Sequence, residues 1–282
     1  QAFRFAHLAD IHVQHSLRAE EGFSKCLAAV HALRPRPDFI LTGGDLVMDV
    51  LAADEGQAKK LFDLYTSICK DSDIPIWQCI GNHDVFGWSS RGKVAPNHVA
   101  YGKKMAQQRL NLPRTTYSFD HKGWHFCVVD DILPFEGEGW QGGITEKDLD
   151  WLSRDLATAG GKHKVLCAHM PIITISVFRD VNISDHPQIG VSKKAMCRNP
   201  GPILKLLRQH NVDLVLAGHT HQNESLRYDN TTYIGHGAVC GAWWKGPYLG
   251  NAEGFGVIDV HSDGHFEHCY HTFGWQAEVS NK

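Results

Sequence analysis

Short apolar runs alternate with amphipathic segments along most of this chain and give way to a run of strands near its C-terminus. That pattern predicts an α/β fold of two packed sheets with helices outside. Five of the apolar runs stop in clusters of Asp, Asn and His, which predicts that one sheet edge carries the chemistry. No repeat, low-complexity stretch or Gly/Ser-rich linker divides the 282 residues. Residues 1–282 therefore read as one domain, with long insertions at about 85–114 and 171–200.

The elements follow in order. Phe3–Leu8 reads as a strand, and Glu20–Leu33 as a helix ended by Pro35 and Pro37. Phe39–Thr42 is a strand. Glu55–Cys69 is a helix with Leu61, Leu64 and Ile68 on one face. Ile76–Ile80 is a strand, and Tyr117–Phe119 and Trp124–Val129 pair across a turn near Lys122–Gly123. Thr145–Ala157 is a helix that Thr145 caps, with Asp148 three residues on. Val165–Ala168, Pro202–Gln209 and Leu214–Ala217 read as strand, helix and strand. Strands then follow at Thr232–Ile234, Ala238–Cys240, Phe255–Val260 and His265–Tyr270.

Composition narrows the function classes. Hydrophobic residues are 43% and charged residues 21%, ordinary for a globular enzyme. No apolar run reaches the length of a membrane-spanning helix. A net charge of -3 gives no basic field for a nucleic acid polymer. The chain opens at Gln1, close to its first strand, so removal of a leader is expected. A periplasmic or secreted location is favoured over a cytoplasmic one. Among 8 cysteines there is no Cys-x-x-Cys pair, which argues against a thiolate zinc site. Cys79, Cys127, Cys167 and Cys240 read as small buried hydrophobes. Cys69 and Cys79 are candidates to pair.

The 19 histidines direct attention to metal spacing. The clusters are Asp10-Ile11-His12, Gly43-Gly44-Asp45, Gly81-Asn82-His83-Asp84, Ala168-His169 and Gly218-His219-Thr220-His221. Extended alternation would put Asp10 and His12 on one side, and likewise His219 and His221. Neutral imidazoles and carboxylates suit manganese, iron or zinc. Two such ions roughly 3.5–4 Å apart clamp a phosphate between them, and a shared carboxylate suits the pair. Any one cluster alone reads as a turn or a cap. Five in order at strand ends do not.

In this order the clusters resemble the calcineurin-like metallophosphoesterases, from Asp10 to His221. The resemblance implies a four-layer α/β/β/α sandwich of two mixed sheets flanked by helices. It implies one ion on Asp10, His12, Asp45 and His221, and another on Asp45, Asn82, His169 and His219, with Asp45 bridging. The ions would be divalent or mixed-valence, and a hydroxide bridging them would attack phosphorus. His83 would assist the leaving group, oriented by Asp84, and an imidazole that titrates near neutral pH suits that role. The protein serine/threonine phosphatases read Gly-Asp-x-Val-Asp-Arg-Gly, where this chain has Gly-Asp-Leu-Val-Met-Asp. Purple acid phosphatases carry a tyrosine where this chain has Met48, and they lack the histidine present here as His12. What remains is similar to the class III cyclic-nucleotide phosphodiesterases. The expected substrate is a small phosphodiester or phosphonate ester, with a phosphomonoester as the alternative. A ligand-depleted scaffold is disfavoured because every ligand position is filled.

Two segments bear on specificity. Val85–Phe119 has no acidic residue but carries Arg91, Lys93, Lys103, Lys104, Arg109 and Arg114, mostly as a solvated surface. Arg91 is the candidate for reaching an anionic substrate. Trp243 and Trp244 form either a stacking wall for a ring or ester, or a seal in a core or between copies in a homo-oligomer.

Overall fold

Two mixed β-sheets lie face to face in the computed structural model, which describes residues 1–135, 139–178 and 191–278. In chain order the strands are β1 (Phe3–Leu8), β2 (Phe39–Thr42), β3 (Ile76–Trp77), β4 (Tyr117–His121), β5 (Trp124–Val128), β6 (Ile132–Phe135) and β7 (Gly139–Gly142). They continue with β8 (His163–Cys167), β9 (Leu214–Ala217), β10 (Glu224–Tyr228), β11 (Thr231–Gly235), β12 (Gly254–Val260) and β13 (Phe266–Thr272). The helices are α1 (Ala19–Ala32), α2 (Glu55–Cys69), α3 (Lys104–Leu110), α4 (Glu146–Thr158) and α5 (Pro200–Gln209). One sheet has the order β13-β12-β1-β2-β3 and the other β10-β11-β9-β8-β5-β4, with β6–β7 a separate hairpin.

Period-2 alternation assigns each strand residue to a layer. Phe3 and Phe5 of β1 and Phe39 and Leu41 of β2 face the sandwich interior, against Phe126, Val165 and Leu216 of the opposite sheet. Phe5 and Phe39 stack at 5.0 Å, and Phe126 meets both edge-on at 5.5 and 5.3 Å. Ala6, Leu8 and Ile40 face the other way, toward Phe23 of α1 and Phe62 and Tyr65 of α2. On the far side, Leu166 and Val215 meet Leu152 and Leu156 of α4 and Ile203 and Leu207 of α5. The layers therefore run α/β/β/α. Full burial of each large apolar side chain stabilises this arrangement by roughly 1.5–3 kcal/mol.

Local chemistry sets the ends of the elements. Asp54 caps α2 by accepting from Gln57 N at 2.8 Å, and Thr145 caps α4 by accepting from Asp148 N at 3.0 Å. β3 is shorter than the expected Ile76–Ile80, because side chains take its last amides. Gln78 N donates to the Tyr117 hydroxyl at 2.8 Å and Cys79 N to Thr42 Oγ1 at 2.9 Å. Ala238–Cys240, expected as a strand, is irregular, and Val239 N and Cys240 N donate to Ala9 O and Asp10 O instead. β6, β7, β10 and α3 carry no clear periodicity and are additions to the expected list. All eight cysteines are free thiols, so Cys69 and Cys79 are not paired. Among the described residues no helix is long and apolar enough to cross a membrane.

β1, β2 and β3 run parallel, as do β8 and β9. Their carboxyl ends open toward the loops that carry the five polar clusters.

Candidate metal centre

The clustered residues lie just past their strands, and much of the backbone there is left-handed. Asp10, His12, Asp45, His219 and His221 have φ of 53°, 45°, 52°, 69° and 56°. Asp10 and His12 are thus brought together by two tight turns, not by the extended alternation expected from sequence. Residues other than glycine rarely adopt this region, and such strain concentrates at functional sites. Gly44, at φ 88°, is needed for a further reason: a Cβ there would sit 2.4 Å from His169 Nδ1. A Cβ on Gly81 would sit 2.2 Å from Asp45 Oδ1.

These turns bring all seven expected ligands into one buried cluster, with Asp45 at its centre. Asp45 Oδ2 lies 3.6 Å from His12 Nε2 and 3.2 Å from His169 Nε2, while its Oδ1 accepts from His83 N at 2.8 Å. On one flank His12 Nε2 and His221 Nε2 are 3.3 Å apart, and Asp10 Oδ1 is 3.5 Å from His221 Nε2. On the other, Asn82 Oδ1 is 3.1 Å from His169 Nε2, and His219 joins Asp45 and His169. Both oxygens of Asp10 also accept from His219 N, at 3.0 and 2.9 Å, which ties the two flanks together.

Each imidazole is oriented by a backbone carbonyl. Nδ1 of His12, His169 and His221 donates to the carbonyl of Met48 (3.3 Å), Gly43 (2.8 Å) and Gly241 (2.6 Å). His219 is reversed, with Nε2 donating to Lys194 O at 2.6 Å. In His12, His219 and His221, a ring nitrogen that donates outward fixes its partner as a lone pair facing inward. Acceptor atoms therefore face one another at contact distance, an arrangement that cations between them satisfy. This donor set of nitrogen and oxygen fits two borderline metal ions.

The electrostatics agree. Burial lowers His12 well below its ordinary pKa and takes His219 to about 3 and His221 to about 4, so these rings are neutral. Burial opposes ionisation of Asp45, but His169, His83 and His12 outweigh it and hold that carboxylate well below its usual range. Burial also pulls His169 down, yet Asp45, Asp10 and Asp131 raise it to about 10. Positive charge is strongly favoured between His169 and Asp45.

Asp84 does not touch the His83 ring. Its carboxylate accepts from Leu46 N (3.0 Å), Val47 N (3.1 Å) and Gly81 N (2.8 Å), pinning the loop after Asp45 to the loop before Asn82. Burial and the charge of Asp45 push it up to about 7 against those bonds. The carboxylate facing the His83 ring is Asp49, with Oδ1 3.8 Å from Nδ1. Asp84→Ala should cost about 3 kcal/mol or more, because three buried amides lose their acceptor. Urea unfolding measures this, and wild-type stability in that variant would remove the positioning role.

The two tryptophans separate. Trp244 is fully buried, donates from Nε1 to His12 O at 3.0 Å and packs edge-on against Trp275 at 5.6 Å. It is a core residue and not part of a substrate wall. Trp243 is half-buried, with its ring 4.8 Å from His221 and 6.0 Å from His12, and Tyr248 stands beside it at 5.6 Å. Trp244→Ala should destabilise the fold by about 3–5 kcal/mol with no change in substrate preference. Trp243→Ala should keep stability and shift kinetic constants differently for different esters. Thermal melts with a substrate panel test the pair, and equal behaviour of the two variants would refute the distinction.

Arg91 is exposed in a short 3-10 turn, and its backbone amide donates to Ser89 Oγ, not to the cluster. Of the other basic residues in its segment, Lys103 pairs with Asp130 at 2.6 Å, Arg109 with Asp63 at 2.8 Å, and Arg114 lies over Trp151. Trp88, Lys93, Lys103, Lys104 and Phe135 line a cleft of about 1040 Å³. It contains none of the candidate ligands, so the donor set marks the candidate site better than this cleft does.

Sequence reasoning missed three supports. Trp140 meets the His219 ring edge-on at 5.6 Å. Asp131, raised to about 7 by burial, accepts from His169 N and Met170 N at 3.2 and 2.8 Å. Lys194 supplies the carbonyl that orients His219. Of the insertion at 171–200, residues 179–190 lie outside the described part.

A family model for calcineurin-like phosphoesterases matches residues 3–223. A probable cyclic nucleotide phosphodiesterase of Psychrobacter arcticus is 24% identical over 206 residues, which cover 73% of this chain and 64% of that protein. The chain therefore spans less than two thirds of that relative's length. A 3',5'-cyclic-nucleotide phosphodiesterase of Nostoc is 22% identical over 270 residues, 92% of this chain and 88% of that one. Among solved structures, GAP50, the anchor in the inner membrane complex of Plasmodium, aligns with a TM-score of 0.59 at 18% identity. The alignment covers 99% of this chain and 86% of that one, and the likeness is one of fold.

Proposed function

Because the chain belongs to the calcineurin-like phosphoesterase family, we propose that it hydrolyses small phosphodiesters at a dinuclear metal site. Asp10, His12, Asp45 and His221 would hold one ion, and Asp45, Asn82, His169 and His219 the other. The observation that carries this reading is the set of four imidazoles, each fixed by a backbone carbonyl, converging with Asp10, Asn82 and Asp45. When bound, the ions supply Lewis acidity to a phosphoryl oxygen and lower the pKa of water. The protein's own part is orientation and proton transfer. Asp45 Oδ2 sets the separation of the two flanks, and its Oδ1 holds the backbone of His83 in register. The His83 ring, a quarter exposed, is positioned to give a proton to the departing alcohol oxygen. Trp243 and Tyr248 offer an apolar face beside His221 that would seat an organic group and exclude water.

Two observations support diesters over monoesters. Two of the relatives are named as cyclic-nucleotide phosphodiesterases. The wall next to the cluster is aromatic, whereas a doubly charged monoester is better matched by nearby free cations. The test is turnover of bis(p-nitrophenyl) phosphate against p-nitrophenyl phosphate, with manganese, iron or zinc supplied. Faster hydrolysis of the bis-ester is the expected result. A clear preference for the monoester would move the assignment to a phosphomonoesterase of the same family.

A further inference from the structure

A second cavity, of about 370 Å³, adjoins the metal cluster on the His83 side. Met48, Asp49, Ala53, Gln57, Lys60 and Leu61 are among its lining residues, and two of these are also part of the site's own framework. The Met48 carbonyl orients His12, and the Asp49 carboxylate faces the His83 ring. We propose that this cavity is the leaving-group subsite, and that it takes a planar, apolar-faced alcohol. The inference rests on the phosphodiesterase reading and on His83 as the proton donor to the departing oxygen.

The argument is one of direction and chemistry. In an in-line displacement the leaving group departs on the side opposite the attacking oxygen. If His83 protonates that departing oxygen, the rest of the alcohol must continue past His83. The space there is the cavity next to Asp49 and Met48. Its size lies within the ordinary range for ligand pockets, about 300–1000 Å³. At about 30 Å³ per water it would hold a dozen waters, and it suits a ring-sized group better than a methyl or ethyl group. The walls are apolar: the Met48 side chain, Ala53 and Leu61, with the stems of Gln57 and Lys60. Such walls favour a flat ring over a polyol, whose hydroxyls would lose water without replacement.

The test follows the methionine methyl signals of the full chain as purified, with 13C-methyl labelling. The chain has 4 methionines, so Met48 is assigned by its loss in Met48→Leu. Two probes are titrated, 4-hydroxyacetophenone as the flat phenol and glycerol as the polyol. The phenol should shift the Met48 methyl saturably while Met105, Met170 and Met196 stay in place, and glycerol should leave it unmoved. Ala53→Trp fills the cavity and should abolish the shift, with the other three signals reporting an intact fold. In turnover, Ala53→Trp should raise KM about tenfold for methyl 4-acetylphenyl phosphate with kcat nearly unchanged, as loss of uniform binding predicts. A Met48 signal that ignores the phenol, or a full shift surviving in Ala53→Trp, would overturn the subsite. Failure of the hydrolase reading looks different: the phenol binds as described, but no ester is turned over with any metal.

Discussion

Asp45→Ala should lose both metal ions and nearly all activity, while the protein remains folded. One oxygen of Asp45 faces both flanks of the cluster, 3.6 Å from His12 and 3.2 Å from His169. No other ligand has that position. Replacing His12 or His219 should empty or weaken one side only. Lewis-acid stabilisation by such ions is worth several kcal/mol, and each 1.36 kcal/mol is a factor of ten in rate. A fall of about 10³-fold or more is therefore expected on bis(p-nitrophenyl) phosphate. The variant also removes the acceptor of the His83 amide, so some loosening of that turn accompanies the loss of metal. Elemental analysis beside the rate measurement decides the matter. Two full equivalents of metal in Asp45→Ala, with normal turnover, would falsify the shared-ligand assignment.

His83→Ala should separate metal binding from proton transfer. The His83 Nδ1 is buried without a hydrogen-bond partner, and the nearest carboxylate stands off at 3.8 Å. Its removal leaves no buried group newly unpaired, so stability and metal content should stay near wild type. General acid catalysis contributes about 10²–10⁴-fold, and an activated nitrophenolate needs little of it. The loss should thus be large for alkyl esters and small for p-nitrophenyl esters. A plot of log rate against leaving-group pKa should steepen in the variant. Parallel lines for the two proteins would exclude the acid role and leave the metal assignment standing.

The clustering of the seven candidate ligands was legible from sequence because each residue follows an apolar run with little intervening chain. Five such runs in a mixed-sheet pattern can end at one edge, and the two parallel strand groups bring them there. What could not be read was the backbone. His12 and His221 give no sign in their residue type of a left-handed φ, since histidine adopts either hand. Asp84 misled for a related reason. Its place next to His83 suggested a pair, but the 3-10 turn Asn82–Asp84 sends its carboxylate under the chain, onto amides 37 to 38 residues earlier. Trp243 and Trp244 could not be told apart, because adjacency says nothing about which ring reaches the core. The layer order was legible in outline, from periodicity. β10 was missed, because its Glu-Ser-Leu-Arg-Tyr sequence lies largely exposed at a sheet edge and shows little apolar pattern.

His219 takes its orientation from Lys194, whose carbonyl belongs to the insertion and not to the sandwich. The insertion is itself tied down at Gly142, which donates to Lys193 O at 3.1 Å and accepts from Arg198 N at 3.1 Å. With an ion on His219 as proposed, the position of this peripheral stretch and the occupancy of that site would be thermodynamically linked, and linkage is reciprocal. Whatever steadies the stretch would favour that ion, and the ion would in turn steady the stretch. A lineage that remodels this insertion to admit a new ester also retunes one cation affinity and leaves the other alone. Divergence in substrate and divergence in metal preference would then arise together from changes around the Lys194 carbonyl.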